Sequence, residues 1–326
     1  MITKSQILCI FYFLLAVFLA DQLVGSVSRK LYFTQKTGQS ACLNYSLQKC
    51  KTDILIFGNS RAQHHYDTRV LSDCLKMSCY NAGIDGGHSI LLPYSQIKVM
   101  TKRHLPKIII LEFRPSSVEY KEGAYDRLSI LLPYYSKFPE LRPIIQLRSP
   151  SEKIKLLSAI YPFNSDIINL LWFNTNSARK KDIAGYIPFV GQVMKINKLA
   201  KQSQITAQHQ IATYSSVDTN MIIALQNIIR ICKEKNISLF IFNSPSFHEF
   251  NEKSLPSPEA RLALEIINRN KVNYVDFSFD SRFIGQFQWF KDMSHLNEKG
   301  ASIYSQIIGE LIKKKYSEIL AFKRQR

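Results

Sequence analysis

The sequence predicts an α/β protein built on a parallel sheet, and three observations carry that prediction. Short, continuous apolar runs, as at 54–57 and 108–111, are typical of strands buried on both faces. Amphipathic stretches of helical period separate these runs, and this alternation favours parallel strands with right-handed crossovers. With 326 residues, of which 46% are hydrophobic, the chain is long enough for one large α/β domain or two small ones.

The first element along the chain is an apolar run at residues 7–20, which follows a single positive charge at Lys4. Counted on to Val27, the run reaches the ~20 residues that a bilayer core requires. A cleaved signal peptide is the rival interpretation, but no Ala-x-Ala site follows the run, and Ser26–Ser28 is a weak substitute. We therefore expect an uncleaved signal anchor, a transmembrane helix, over residues 1–28.

The charges beside this run bear on its orientation. Arg29, Lys30 and Lys36 follow it closely, so the local charge bias does not favour an amino end that stays inside. Large domains can translocate regardless of such charges. We therefore expect a single-pass protein of the cytoplasmic membrane whose body lies in the periplasm or otherwise outside the cytoplasm.

The rest of the chain is expected to hold an extended juxtamembrane linker over 29–50 and an α/β domain over 51–326. The predicted strands cover 53–58, 78–81, 107–113, 238–242 and 273–277. The predicted helices cover 67–76, a stretch ending near 104, 218–235, a stretch that Ser257 caps, and a last stretch beginning near Asn297. Five strands joined in this way predict a three-layer, flavodoxin-like parallel sheet.

Residues 120–217 interrupt the alternation of strands and helices and are expected to form a helical insertion. Its aromatic, amphipathic and basic stretches are 131–135, 152–160, 167–172, 179–181 and 185–189. An insertion above the carboxyl edge of the sheet could serve as a lid or as a polymer-binding surface. Packing on the flank of the sheet as scaffold is the alternative, and the sequence leaves both open.

The formal net charge of +18 and the pI of about 9.6 predict attraction to polyanions. The basic residues are dispersed and no nucleic-acid motif accompanies them. We therefore expect the membrane or an envelope polymer as partner, and no nucleic acid.

Six cysteines are present, and export would allow Cys42 to pair with Cys50 and Cys74 with Cys79. Small buried thiols are the alternative interpretation. No cysteine or histidine cluster has the spacing of a zinc site, and we expect neither a metal nor a cofactor.

Ser60 follows the first predicted strand, within the sequence Gly58-Asn59-Ser60. A buried parallel strand that ends in small residues brings the next side chains to the carboxyl edge, where open α/β sheets bind ligands. Serine needs a base to act as a nucleophile, and the base needs a group that orients it. Asp292 and His295, three residues apart before the last predicted helix, supply both.

On these residues the chain resembles the SGNH (GDSL-like) hydrolase superfamily. The resemblance is to its membrane-anchored branch that acts on cell-envelope polymers, such as alginate O-acetylation proteins and the D-alanylation protein of the Dlt system. Gly58–Ser60 matches the first block of the family, Tyr80–Gly83 the second and Asp292–His295 the last. The resemblance implies the flavodoxin-like SGNH fold and a Ser60–His295–Asp292 triad. It also implies an oxyanion hole that uses the N–H groups of Ser60 and Gly83.

The third block of the family, Gly-x-Asn-Asp, has no counterpart in this chain, which reads Glu112-Phe113-Arg114-Pro115 after the third predicted strand. The asparagine that donates to the oxyanion in the family is therefore missing. Arg114, or else Asn243, is our candidate replacement because each ends a predicted strand. We also expect Arg61, Asn81 and Asn243 to bind substrate, with Arg61 beside the nucleophile and facing a negatively charged polymer.

The resemblance implies an exported, membrane-anchored O-acyltransferase or esterase that acts on O-acyl groups of an envelope polysaccharide or another acylated polymer. A membrane-bound O-acyltransferase is then a candidate partner. The missing third block supports a second hypothesis, a catalytically impaired SGNH-like protein that binds polymer or assists a membrane acyltransferase.

Overall fold

The computed structural model describes residues 3–86, 89–120, 122–164, 168, 170, 184–193, 217–249 and 256–324. The chain divides into two compact units. The first unit comprises Met1–Asn44 and Tyr125–Lys180, and the second comprises Tyr45–Ala124 and Lys181–Arg326.

The regular elements are numbered along the chain. The strands are β1 (Ile54–Phe57), β2 (Cys79–Asn81), β3 (Ile108–Glu112), β4 (Ser238–Asn243) and β5 (Asn273–Asp276). The α-helices are α1 (Lys4–Thr34), α2 (Gly38–Gln48), α3 (Ser60–His65), α4 (Thr68–Leu75), α5 (Leu91–Arg103), α6 (Glu122–Asp126), α7 (Arg142–Ile145), α8 (Glu152–Lys155), α9 (Thr219–Glu234), α10 (Pro258–Arg269) and α11 (Glu298–Arg324). Short 3-10 helices cover Pro115–Val118, Arg127–Tyr134, Pro139–Leu141, Gln146–Arg148, Tyr161–Phe163 and Phe287–Trp289.

A five-stranded, fully parallel sheet forms the centre of the second unit. Its strands lie in the order β2-β1-β3-β4-β5. The register pairs Phe57 with Leu111, Glu112 with Phe242 and Asn243 with Asp276, so the carboxyl ends of four strands meet at one edge. The predicted α/β class and the flavodoxin-like strand order are confirmed.

The sheet is covered on both faces because its strands are apolar on both. Every residue of β1 and β3 is buried, which is the pattern of a parallel sheet between two helical layers. On one face Ile54, Ile110 and Phe240 pack with Leu71 of α4 and Ile308 of α11. The intervening residues of each strand point to the opposite face. This core fixes the edge from which the candidate site is built.

The caps of two helices follow the sequence pattern closely. Asp67 accepts a hydrogen bond from the Arg69 N–H at the start of α4, and Ser257 accepts one from the Ala260 N–H at the start of α10. The short helix α3 was not predicted. All but one of its buried positions are polar, so no apolar period marks it in the sequence; they are Arg61, Ala62, Gln63, His64 and His65.

The first unit contains α1, which by length and composition could cross a membrane; a signal sequence near the amino terminus would show the same features. Apolar side chains from Ile7 to Val27 are exposed along it. Near its carboxyl end Tyr32 is 1% exposed, and its ring contacts Tyr134 and Phe163 at centroid distances of 5.8 and 5.7 Å. The carboxyl half of α1 is therefore part of the packed first unit.

The extended linker expected over 29–50 is wrong, because α1 continues to Thr34 and α2 occupies Gly38–Gln48. The polar residues of this stretch resemble a linker in composition, yet glutamine, lysine and serine are tolerated well enough in a helix once aromatic packing holds it. Tyr32 supplies that packing.

The insertion is helical, as expected, and its described helices are short. The amphipathic stretch 152–160 contains α8, of four residues, followed by turns. The stretches 167–172 and 179–181 lie outside the described residues except for positions 168 and 170.

No disulfide joins the cysteines of the described residues. Neither of the two pairings that export would allow is formed, and Cys50, Cys79 and Cys232 are small buried side chains in this structure. The alternative interpretation of the cysteines therefore fits better.

Candidate active site

Ser60 is placed by a tight turn between β1 and α3. Gly58 has a φ of +150°, and a Cβ at this position would lie 2.8 Å from the Cβ of Glu112, so both conformation and space favour glycine here. Asn59 then caps α3, since its Oδ1 accepts the N–H of Arg61 at 3.0 Å. Ser60 is the first residue of the helix, at the carboxyl edge of the sheet.

Ser60, His295 and Asp292 form one chain of hydrogen bonds. The Nε2 atom of His295 lies 2.9 Å from the Ser60 Oγ. The Nδ1 atom of the same ring lies 2.9 and 3.0 Å from the two carboxylate oxygens of Asp292. These distances are within hydrogen-bond reach, with the base between the nucleophile and its orienting group. The structure thus brings together the three residues that the sequence grouped.

The loop that carries His295 is fixed by its own backbone. The Asp292 carboxylate also accepts the N–H groups of Ser294 and His295, each at 2.9 Å. Asn297 accepts the Gly300 N–H at 3.1 Å and so caps α11 directly after the loop. His295 therefore lies between a capped helix and a carboxylate that contacts its ring, its own N–H and the N–H of Ser294.

The Asp292 carboxyl is held in its ionised form. Partial burial acts to raise its pKa, but the N–H of Ser294 and the bonds from His295 outweigh that effect and lower it. An acceptor-only carboxylate next to Nδ1 requires the proton on Nδ1. The Nε2 lone pair then faces the Ser60 hydroxyl, which is the arrangement of a general base.

A second histidine, His65, forms a hydrogen bond to the loop that carries His295. Its Nε2 accepts the backbone N–H of Leu296, the residue after His295, at 3.0 Å. Its proton therefore sits on Nδ1, which donates to the Ser244 Oγ at 2.7 Å. Burial, and then the positive charge of Arg61, hold the pKa of His65 well below its ordinary value. A neutral, fully buried imidazole thus connects the loop that carries His295 to the end of β4.

A buried ion pair lies next to His65. The Glu112 carboxylate, at the end of β3, accepts bonds from the Tyr66 hydroxyl at 2.5 Å and the Ser244 N–H at 3.2 Å. Arg61 Nε lies 3.3 Å from Glu112 and 3.1 Å from the Ser244 Oγ. The two charged side chains are 4% and 1% exposed. The pair connects α3, which carries Ser60, to β3 and β4.

The segment 184–193 borders the site. The carbonyl of Ile187 accepts from His64 Nδ1 at 2.7 Å. The ring of Phe189 stacks on His64 at 4.0 Å and meets the ring of His295 edge-on at 5.9 Å. The Phe189 ring therefore packs against one side of the His295 imidazole, close to Ser60.

Burial lowers the pKa of His64 to about 4, although its bond to the Ile187 carbonyl acts the other way. The unfolded chain binds this proton near pH 6.5 and the folded chain near pH 4. The stability conferred by the neutral ring is complete above pH 6.5 and is lost as the pH falls toward 4. We expect His64 to contribute about 3 kcal/mol to that loss. His64→Phe keeps the stacked ring and should remove this part of the pH dependence.

Urea denaturation of the full chain in detergent at pH 7 and pH 4.5 measures this effect. The wild type should lose more stability than His64→Phe between the two values. An equal loss in both proteins would show that His64 does not titrate in this way.

Asn81 and Gly83 lie near the triad but are committed to the fold. Asn81 is 1% exposed, and its Nδ2 donates to the carbonyls of Ala62 and Tyr66. Its Oδ1 accepts the Gly83 N–H at 3.0 Å. Asn81 is therefore engaged within the fold in this structure, and its expected contact with substrate stays a prediction. The Gly83 N–H is also not available to an oxyanion while this bond persists.

Arg61 and Asn243 are likewise turned into the protein. Arg61 is paired with Glu112 and nearly unexposed, and its expected contact with a polymer stays a prediction. Asn243 donates to the Asp276 carboxylate at 3.0 Å across β4 and β5 rather than facing Ser60. Arg114 follows the end of β3 and is exposed, and its charge adds to burial in lowering the pKa values of His65 and His248. Its role at the oxyanion stays a prediction.

Two donors beside the nucleophile have no hydrogen-bond partner among the residues that the structure describes. They are the backbone N–H of Ser60, at the first position of α3, and the Nδ2 of Asn59. Orphan donors at a helix start favour negative charge. A cavity of about 10 Å³ adjoins Asn59 and is lined in part by Ser89 and Phe113. It has room for about one water molecule.

His65, Glu112 and Ser244 were not predicted to support the site. Glu112 ends a strand that is otherwise aliphatic, and a buried acid requires a partner, so this residue carried a usable signal. His65 and Ser244 show no comparable signal, because their contact depends on the sheet bringing distant segments together. In the ranges described above, no group of three or more His, Cys, Asp or Glu residues could hold a metal ion.

Comparison with protein-family models found no match to this chain. Comparison with the curated proteins found no match either.

Proposed function

We propose that this protein is a membrane-anchored, extracytoplasmic serine esterase or O-acyltransferase of the SGNH type. Its proposed substrate is an O-acylated cell-envelope polysaccharide or similar polymer. The observation that supports the proposal is the chain of hydrogen bonds from Ser60 through His295 to Asp292 at the carboxyl edge of a parallel sheet. The order of these residues along the sequence, and the strand order 2-1-3-4-5, agree with the resemblance to that superfamily.

The reaction begins at the Ser60 hydroxyl. His295 Nε2 takes its proton as Oγ attacks the carbonyl carbon of the ester, and the carbonyl oxygen becomes an oxyanion. Asp292 stabilises the imidazolium that forms. The carbon–oxygen bond to the leaving alcohol then breaks, His295 returns the proton to that oxygen, and an acyl group remains on Ser60. Water or a sugar hydroxyl, deprotonated by His295, removes the acyl group in the second half of the reaction.

The oxyanion is stabilised by the N–H of Ser60, supported by the start of α3. The amide of Asn59 is the second donor in this proposal, because its Nδ2 is unpartnered one residue from the nucleophile. Each donor of this kind is worth roughly 3 kcal/mol in the transition state. Arg114 remains an alternative second donor, since its charge lies at the same edge.

A fluorophosphonate probe tests for the activated serine. The full chain in detergent is incubated with the probe beside Ser60→Ala and His295→Ala. We expect labelling of the wild type that maps to Ser60 and is lost in both variants. Absence of labelling in a folded wild type would contradict an esterase mechanism.

A second function has one specific observation in its favour. The Gly83 N–H is occupied by Asn81, and the third block of the family is missing, so the oxyanion hole lacks two donors that the resemblance implies. A protein of this kind would bind polymer or assist a membrane-bound O-acyltransferase without turning over ester itself. An unlabelled wild type that binds envelope polysaccharide, with Ser60→Ala binding equally well, would favour this function.

We further propose that α1 is a retained anchor rather than a cleaved signal sequence. The Asp21 carboxylate accepts bonds from the Ser158 hydroxyl at 2.6 Å and the Ala159 N–H at 2.7 Å. Gly25 lies so close to Ala159 that a Cβ would be 2.4 Å from the Cβ of that residue. Cleavage at Ser26–Ser28 would remove both contacts and leave two donors of the first unit unpaired.

The mature protein should therefore keep its amino-terminal residues. Intact mass measurement on protein extracted from membranes checks this, and a chain that starts after Ser28 would contradict the proposal.

A further inference from the structure

The segment Glu152–Ile160, here termed the docking segment, is fastened to α1 in the first unit. Besides Ser158 and Ala159, the Ile160 N–H donates to Asp21, at 3.3 Å. A carboxylate within an apolar helix is costly in a membrane unless it is paired. These three donors satisfy it.

The position of Asp21 along α1 sets the depth of this contact. Exposed apolar side chains continue past it to Leu23, Val24 and Val27, before the first positive charge at Arg29. At a rise of about 1.5 Å per residue, Asp21 lies about 9 Å from Val27 along the helix axis, toward the amino end. Any part of the chain that bonds to Asp21 must reach the same depth. If α1 crosses a bilayer, the docking segment extends into its interface.

The side chains of the docking segment suit that location. Ile154 is 71% exposed and Leu157 is 76% exposed, and both lie within one turn of the residues that hold Asp21. Glu152 is the acidic residue of the segment, and it is buried and paired with Arg148 at 3.0 Å and Lys155 at 3.2 Å. The exposed surface is thus apolar and positively charged, as in elements that lie on anionic membranes.

We propose that the docking segment is a membrane-inserting element beside α1. Ile154 and Leu157 enter the boundary between headgroups and acyl chains, and Lys153 lies at anionic lipid headgroups. The partner is the lipid surface itself. The inference rests on the proposal that α1 is a membrane anchor.

Photocrosslinking to lipid tests this location. The full chain is reconstituted into vesicles of phosphatidylcholine and phosphatidylglycerol with p-benzoylphenylalanine in place of Leu157 or, separately, Ile154. A matched protein carries the same group in place of Ile223, which is 46% exposed on α9 in the second unit. We expect lipid adducts at 154 and 157, detected by mass spectrometry, and severalfold fewer at 223.

Flotation of the same vesicles separates the two proposals. Protein that floats with the vesicles but gives no more adducts at 154 and 157 than at 223 would overturn the docking segment and leave the anchor in place. Protein that does not float would overturn both. Crosslinks from 154 and 157 to a second copy of the chain, in place of lipid, would also overturn the lipid assignment.

The charge of the segment gives an independent readout. Adducts to phosphatidylglycerol should exceed those to phosphatidylcholine when the two lipids are present in equal amounts, and Lys153→Glu should reduce that preference. An unchanged preference would overturn the role assigned to Lys153.

Discussion

Ser60→Ala and His295→Ala should each reduce kcat/KM for a small acetyl ester by on the order of 10⁴ to 10⁶ fold. The loss is large because Ser60 supplies the attacking oxygen and His295 accepts its proton across a 2.9 Å contact. Removing both should cost little more than removing one, since the two groups act as a unit. Initial rates of hydrolysis by the full chain in detergent measure the effect.

Ser302→Ala is the matched control. Ser302 is a half-buried serine of α11 whose hydroxyl has no hydrogen-bond partner in the part of the chain that the structure describes. It should keep wild-type rates. Hydrolysis that persists in Ser60→Ala at the wild-type rate would mean that another group performs the reaction.

Glu112→Leu should lower the free energy of unfolding by about 3 to 5 kcal/mol. The substitution leaves the Arg61 guanidinium buried and unpaired, and it removes the acceptor of the Tyr66 hydroxyl. Arg61→Met combined with Glu112→Leu should cost less than Glu112→Leu alone, because no charge is then left in the core. Urea denaturation followed by tryptophan fluorescence measures each variant.

The exposed pair Arg230–Glu234 gives the comparison, with side chains 58% and 57% exposed. Glu234→Ala should change stability by less than about 0.5 kcal/mol. If Glu112→Leu is as mild as Glu234→Ala, the buried pair does not hold α3 to the sheet. A double variant less stable than Glu112→Leu would contradict the account of an uncompensated charge.

The sheet could be predicted from sequence because its central strands are apolar on both faces and its crossovers are amphipathic. The pairing of Ser60 with His295 and Asp292 was also within reach, since residues that follow parallel strands converge at one edge. The surroundings of the residues expected to contact substrate could not be predicted in this way. The position of Arg61 beside Ser60 suggests that it binds a ligand. The acid that neutralises its charge, Glu112, lies about fifty residues away in the sequence, at the end of β3.

The sequence motif alone could not show that Asn81 and Gly83 are hydrogen-bonded to each other. Both match the second block of the family, but the sequence does not show that the amide of one accepts the N–H of the other. The extended linker was wrong for a similar reason. Its polar composition is visible in the sequence, whereas the packing of Tyr32 on Tyr134, which keeps that stretch helical, depends on residues about a hundred positions apart.

The proposed reaction passes through an acyl group on Ser60, which can be trapped. The full chain is mixed with an acetyl ester, quenched in acid within the first turnovers, digested and analysed by mass spectrometry. We expect one acetyl group on the peptide that contains Ser60, absent in Ser60→Ala and in His295→Ala. Ester hydrolysis by the wild type without that adduct, or with the acetyl group on another peptide, would contradict it.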